Sequence, residues 1–189
     1  MIMLIHTIGQ ELKYDGRQLS SLWAFRNYRL QGDSIICFRG PCQVELTEMV
    51  DLADVIANAP IYSESMLHFI IEHFDLDLEK TVVRQRLFIS QIKEVIYKRT
   101  GRILSRQGDD LFYGNKKLSV SIATLSPVST MIHTGLNISS RNTPVPTVSL
   151  VELGFSENEI LTLGQEIAET YANEISSIKL ARCKVRGVV

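Results

Sequence analysis

This chain of 189 residues lacks most of the features that announce a function outright. Its three cysteines, Cys37, Cys42 and Cys183, are an odd number with neither CxxC nor Cys–His spacing. That pattern argues against a disulfide framework and for a reducing cytoplasm. Net charge is −1, so no long-range field recruits nucleic acid or an anionic membrane. The apolar opening MIMLIHTI is too short to span a bilayer. It also lacks the basic flank and cleavage site of a signal peptide, so it reads as a strand. There is no P-loop, no Rossmann glycine fingerprint, no Ser-His-Asp arrangement, no internal repeat and no low-complexity segment. What remains is a chain expected to be soluble and cytoplasmic, of a length that suits one domain over residues 1–189 with a sizeable core.

Apolar residues at helical spacing predict a helix from Arg17 to Leu30, broken by Gly32. Asp33 to Phe38 reads as a strand ending in Arg39-Gly40-Pro41-Cys42. A short helix from about Asp51 to Ala57 is expected to stop at Pro60, and Ser65 to Phe74 suits a central strand. From Leu78 to Lys98 a helix is predicted with Val82, Val83, Leu87, Ile89, Ile92, Val95 and Ile96 on its buried side, closed by Gly101. The last helix, Ser156 to about Ile178, opens on a capping box formed by Ser156 and Glu159. Strand and helix patterns mix without regular βαβ alternation. The expected fold class is therefore α+β, a mainly antiparallel central sheet flanked by helices.

The densest information lies between Gly108 and Asn137, GDDLFYGNKKLSVSIATLSPVSTMIHTGLN. Gly114-Asn115 is a two-residue hairpin signal, because glycine supplies the positive φ such a turn needs. The implied register pairs Tyr113 with Lys116, Phe112 with Lys117, Leu111 with Leu118 and Asp110 with Ser119. Side chains alternate along a strand, so Asp110, Phe112, Lys117, Ser119 and Ser121 are expected on one face. Leu111, Tyr113, Leu118, Val120 and Ile122 are expected on the other. In the following strand His133, Gly135 and Asn137 point one way, while Ile132, Leu136 and Ile138 point the other.

The order of a GDDL segment, a tight turn, a KLS segment and a GLNI strand resembles the catalytic domain of lipoate and biotin protein ligases. In those ligases an Asn-Asp-Leu block is followed by Lys-Leu/Val-Ala/Ser-Gly and by a strand ending in asparagine. More specifically, the chain resembles a small, mostly archaeal family of uncharacterised proteins with this ligase-like fold, over about Leu22 to Ser140. The resemblance implies a cleft that binds a small carboxylic acid and ATP, with Mg2+ as a bridging ion, and forms an acyl-adenylate for transfer to an amine, such as that of an acceptor protein. Lys117 would stabilise the developing charge, and Asp110 would orient it or hold the metal. Arg39 would clamp phosphate or carboxylate, since arginine binds such groups bidentately. Ser119, His133, Gly135 and Asn137 complete the expected substrate and nucleotide contacts. The oligomeric state is open, a homo-oligomer included.

Two positions depart from the ligase pattern. Where lipoate ligases carry a glycine-rich stretch, this chain reads Ile61-Tyr62-Ser63-Glu64-Ser65-Met66-Leu67-His68, and glycine is what lets backbone approach a phosphate. Asp109 stands where the ligases carry asparagine, and its extra charge needs an arginine or a metal beside it. A non-catalytic descendant that binds a ligand or a protein partner is therefore the alternative function. Each site residue also has an ordinary alternative: a solvated hairpin lysine for Lys117, a surface ion-pair carboxylate for Asp110, a strand-end arginine for Arg39, a structural strand histidine for His133. No metal site is expected, because His68, Glu72 and His73 match neither zinc spacing and the two histidines point to opposite faces of a strand. Cys42 is expected to be a buried hydrophobe rather than a nucleophile.

Overall fold

The computed structural model describes residues 2–59 and 61–188. Strands β1 (Leu4–Thr7), β2 (Ser34–Val44) and β3 (Ile61–His73) alternate with two short helices, α1 (Trp23–Tyr28) and α2 (Leu52–Ile56). The long helix α3 (Leu78–Thr100) follows, then β4 (Ser105–Gln107), β5 (Asp110–Tyr113), β6 (Lys116–Lys117), β7 (Ser119–Leu125) and β8 (Thr130–Asn137), and finally α4 (Ile160–Ala181). A five-stranded sheet runs in the order β1-β2-β3-β8-β7, and β4-β5-β6 form a separate three-stranded sheet. Only β1 with β2 is parallel; every other paired strand is antiparallel.

The large sheet has two unlike faces because side chains alternate along each strand. Ile35, Cys37, Leu67, Phe69, Ile71, Ile132 and Leu136 share one face and join the core formed with α3 and α4. Ile36, Phe38, Met66, Ile70 and Met131 lie on the other face, under the segment that carries Tyr14, Ala24 and Met49. Helix α3 is held at both ends as the sequence implies. Asp77 accepts the Lys80 N–H at 2.9 Å, and Gly101 closes the helix at φ 69°. Helix α4 begins behind a single 3-10 turn, with the capping box present: Ser156 N–H donates to Glu159 at 3.0 Å.

Four local expectations are corrected. The helix predicted from Arg17 to Leu30 shrinks to Trp23–Tyr28, because Leu22 turns left-handed (φ 60°) to donate its N–H to buried Glu72 at 2.9 Å. The strand predicted to end at Phe38 runs on to Val44: Pro41 is absorbed by a register shift between Gly40 and Cys42, and its carbonyl accepts the Tyr14 N–H at 2.9 Å. Val83 is exposed rather than on the buried side of α3, where Thr81 and Gln85 are buried instead. Pro60, the predicted stop of α2, lies outside the described residues.

The fourth correction concerns the site. The hairpin register holds, with Phe112 opposite Lys117 and Tyr113 opposite Lys116. Beyond Lys117, however, the chain changes sheets. Leu118 N–H donates to Leu111 O at 2.8 Å, and then Ser119 pairs with Leu136 of β8 rather than with Asp110. The crossing breaks the alternation, so Leu118 sits in the core under the helices while Val120 packs on the opposite face. Ser119 and Ser121 therefore do not share a face with Lys117 by strand alternation.

Candidate functional site

A cleft of about 590 Å3 opens where the small sheet meets the face of the large sheet that is turned away from α3 and α4. Its floor is apolar, built from Met66, Val120 and Ile122 with Val44, Met49 and Ile61 at the sides. Lys117 is the only lysine or arginine among the described residues that line it, against carboxylates at Glu48, Asp51, Asp54, Asp109 and Asp110.

At one pole Lys117 Nζ meets Asp110 at 2.9 Å, both side chains being partly exposed. Burial pushes the Asp110 carboxyl above its ordinary range, against the pull of Lys117. Asp109, at the edge of the cleft, is neutralised by Arg86 of α3 at 2.6 Å, while Gln85 Nε2 donates to it at 2.9 Å. Asn137 closes this pole, its side-chain amide donating to Lys117 O at 3.3 Å.

The other pole is a stack of buried rings. The Tyr14 ring lies on His133 with centroids 3.6 Å apart and planes 10° from parallel. His133 Nε2 is 3.1 Å from His68 Nδ1, and His68 Nε2 is 3.2 Å from Gly40 O. Burial holds both imidazoles neutral, His68 down to about 3 and His133 well below its ordinary value. The proton positions follow from the network. A carbonyl only accepts, so His68 Nε2 carries a proton and His68 Nδ1 accepts one from His133 Nε2. His133 Nδ1 is left with a lone pair. Between the poles lies Gly135, where a Cβ would stand 2.9 Å from Met66 Cε and 3.3 Å from Val120. Its absence lets the Met66 and Val120 side chains close over the strand and form the middle of the floor.

With the geometry in place, comparison with known proteins decides the family. Residues 3–186 match the family described as a domain of unknown function, DUF366. The chain belongs to the DUF366 family. An uncharacterized protein of Methanocaldococcus jannaschii is 40% identical over 183 residues, covering 94% of this chain and 81% of that protein. A solved protein of unknown function from Pyrococcus horikoshi is 36% identical with TM-score 0.92, covering 99% of this chain and 100% of that one. Biotin protein ligase from Aquifex aeolicus, solved with biotin and ATP, superposes with TM-score 0.53 at 15% identity, over 92% of this chain and 70% of the ligase. LipL1 of P. falciparum, solved with lipoate, gives 0.58 at 10% identity, over 91% and 63% of the two chains. At such identities the likeness is one of fold, and the fold is the α+β, ligase-like one that the sequence implied.

The DUF366 chain brings together most of the residues singled out from its sequence. Asp110, Lys117, Ser119, His133 and Asn137 all line the cleft, whereas Gly135 lies beneath Met66 and Val120 and is not among the lining residues. Ser119 is occupied, its hydroxyl accepting the Leu111 N–H at 2.9 Å with the side chain fully buried. Arg39 is not in this group. Phe38 faces the cleft side, so alternation sends Arg39 to the opposite face, where it lies 3.3 Å from Glu11 and 3.4 Å from Glu157. Cys42 is fully buried and burial pushes its thiol up to about 12, which disfavours the thiolate that a nucleophile requires. His68 and His73 do point to opposite faces: His73 bonds Tyr171 Oη at 2.8 Å on the helix side, while His68 joins the ring stack.

Sequence reasoning missed Tyr14 and His68. Tyr14 sits in no strand and carries no local signal; it reaches the cleft through a bridge to Cys42, far along the chain. His68 was weighed only as a metal ligand with its sequence neighbours, whereas its partner is His133 on the adjacent strand. Among the described residues there is no group of three or more potential metal ligands, and no helix is long and apolar enough to cross a membrane.

Proposed function

We propose that the cleft binds a small, elongated carboxylic acid, with Lys117 meeting its carboxylate. The observation that carries this reading is Lys117, the single lysine or arginine among the described lining residues, at the end of a cleft with an apolar floor and otherwise only acidic charges. A lone cation in partly desolvated surroundings makes a charge-assisted contact with one carboxylate and rejects a second anion. Asn137 beside it offers a polar edge, and the floor of Met66, Val120 and Ile122 suits an apolar body. The ligase-fold neighbours solved with biotin or lipoate support the reading, since both ligands are elongated carboxylic acids. Three unpaired cysteines fit a cytoplasmic setting.

A second reading adds ATP-dependent formation of an acyl-adenylate and its transfer to an amine. The grouping of Asp110, Lys117 and Asn137 favours it, and the acidic rim of Glu48, Asp51 and Asp54 would suit a cationic acceptor amine. The residues fit ATP and Mg2+ poorly, however. Asp109 is held by Arg86 and Gln85, Asp110 is held by Lys117, and residues Ile61–His68 form a strand, irregular at Glu64 and Ser65, rather than a phosphate-cradling loop. Acid binding without chemistry therefore leads.

Calorimetric titration with a series of straight-chain acids tests the first reading: binding is expected in wild type and lost in Lys117→Ala. An absence of binding across the series would sink it. Exchange of labelled pyrophosphate into ATP, stimulated by the acid that binds, would establish the second reading over the first.

A further inference from the structure

We propose that the end of the ligand remote from its carboxylate is a neutral group that both donates and accepts hydrogen bonds, such as a carboxamide, read by the Tyr14 hydroxyl and His133 Nδ1. This rests on the acid-binding reading, because the carboxylate at Lys117 decides which end reaches the ring stack. His133 and Asn137 are four residues apart on β8, which separates the two poles by about 13 Å along the strand. A ligand anchored at Lys117 and lying over the Met66 and Val120 floor thus places its far end on the Tyr14–His133 pair.

The pair is built for a polar group and has none of its own. Both residues are only 4% exposed, and both line the cleft. Neither the Tyr14 hydroxyl nor His133 Nδ1 has a hydrogen-bond partner among the described residues, yet neither atom is sealed from the cleft. A ligand that covers these two atoms without pairing them displaces their water and carries the full desolvation cost of both groups. The rest of the stack is satisfied: His133 Nε2 is spent on His68, and the Tyr14 backbone is tied to Pro41 and Gln43. The two open atoms are therefore the ones that the end of a ligand can pair. Burial keeps the phenol protonated and the imidazole neutral, so together they offer one donor and one acceptor with no net charge. An amide matches both at once. A purely alkyl end would leave both unpaired, and sites with buried polar atoms discriminate strongly against ligands that cannot pair them.

Octanoate and suberamate, the half-amide of the eight-carbon diacid, share a chain length and a carboxylate and differ only in the end group. Wild-type protein is expected to bind suberamate at least roughly tenfold more tightly in calorimetry. Tyr14→Phe, which keeps the stacked ring, is expected to reduce that preference below about twofold. In nitrogen-15 spectra of wild type, the His133 Nδ1 signal should move with suberamate and stay in place with octanoate. Equal affinities, a preference that survives Tyr14→Phe, or an unmoved Nδ1 signal each overturns the end-group assignment while leaving acid binding at Lys117 standing. Failure of both acids to bind removes both readings together.

Discussion

Lys117 and Asp110 meet at 2.9 Å from diagonal positions of the β5–β6 hairpin, since the direct partner of Lys117 is Phe112. The diagonal leaves the ammonium turned toward the cleft, while its neighbour Lys116 is half exposed beside the turn, 4.0 Å from Glu152. Lys117→Ala should weaken binding of the acid by roughly tenfold or more, the loss of one charge-assisted contact. Lys116→Ala should leave affinity nearly unchanged. Because the Asp110 pair is partly exposed, either substitution should cost under about 1 kcal/mol of stability. Parallel titrations and urea melts of the two variants decide it, and equal losses of affinity would refute the site assignment.

Asp110 competes with a bound carboxylate for Lys117, which makes binding pH-dependent. The fold raises the Asp110 pKa through burial, so its proton is favoured in the native state and the group costs stability as pH rises through its folded value. Protonation frees Lys117. Affinity for the acid should therefore rise as pH falls toward the raised range of the Asp110 carboxyl, until the ligand itself begins to protonate. Asp110→Asn should bind more tightly at neutral pH and show a flat profile over that interval. A profile unchanged by the substitution would mean that the ion pair does not gate the site.

On the helix side of the sheet, Asp33 accepts from Lys179 at 2.8 Å and from the Phe74 N–H at 3.0 Å, and lies 3.4 Å from His73. Hydrogen bonds from His73 and Lys179 hold its carboxyl far below the ordinary range despite partial burial. A depressed folded pKa adds stability that is present above the unfolded value, near 4, and is lost as pH falls below it. Asp33→Asn should lower stability at neutral pH by roughly 1–3 kcal/mol and flatten the decline between about pH 4 and about pH 2. Denaturant melts across that range provide the check.

Gly40 and Gly135 should respond differently to alanine. A Cβ at Gly40 would fall 2.1 Å from the backbone oxygen of Leu12, which no rotamer change can relieve. Gly40→Ala should therefore cost more than about 4 kcal/mol, an exceptional loss. At Gly135 the nearest atom is the end of the flexible Met66 side chain at 2.9 Å. Gly135→Ala should cost about 1–3 kcal/mol and narrow the cleft, so its larger effect should be on ligand affinity. Thermal melts of both variants separate the cases.

Cys37 and Cys42 are fully buried and Cys183 is exposed. A thiol reagent should titrate a single cysteine in the native protein and all of them after unfolding, with ligand binding unaffected by the native modification. Rapid native labelling at Cys42, with loss of binding, would revive a role for that thiol.

Much of the architecture was legible in local pattern. Helix α3, the cap of α4, the central strand, the hairpin at Gly114-Asn115 and the division of β8 into polar and apolar sides all follow from periodicity and turn chemistry over a few residues. The physical reason is that these features depend on backbone sterics and on which side chains water rejects, both of which act locally. The family blocks likewise put Asp110, Lys117 and Asn137 in one cleft before any coordinates. Tertiary structure alone decided the rest. Arg39 was sent behind the sheet because β2 continues past it, and within a paired strand alternation with Phe38 fixes the face it takes. The crossing at Leu118 turned Ser119 and Ser121 out of the face they were expected to share with Lys117. Tyr14 reached His133, and His68 found its partner, across more than sixty residues of chain. Such contacts depend on which strands become neighbours, and that choice is made by packing the whole core, not by any one segment of the sequence.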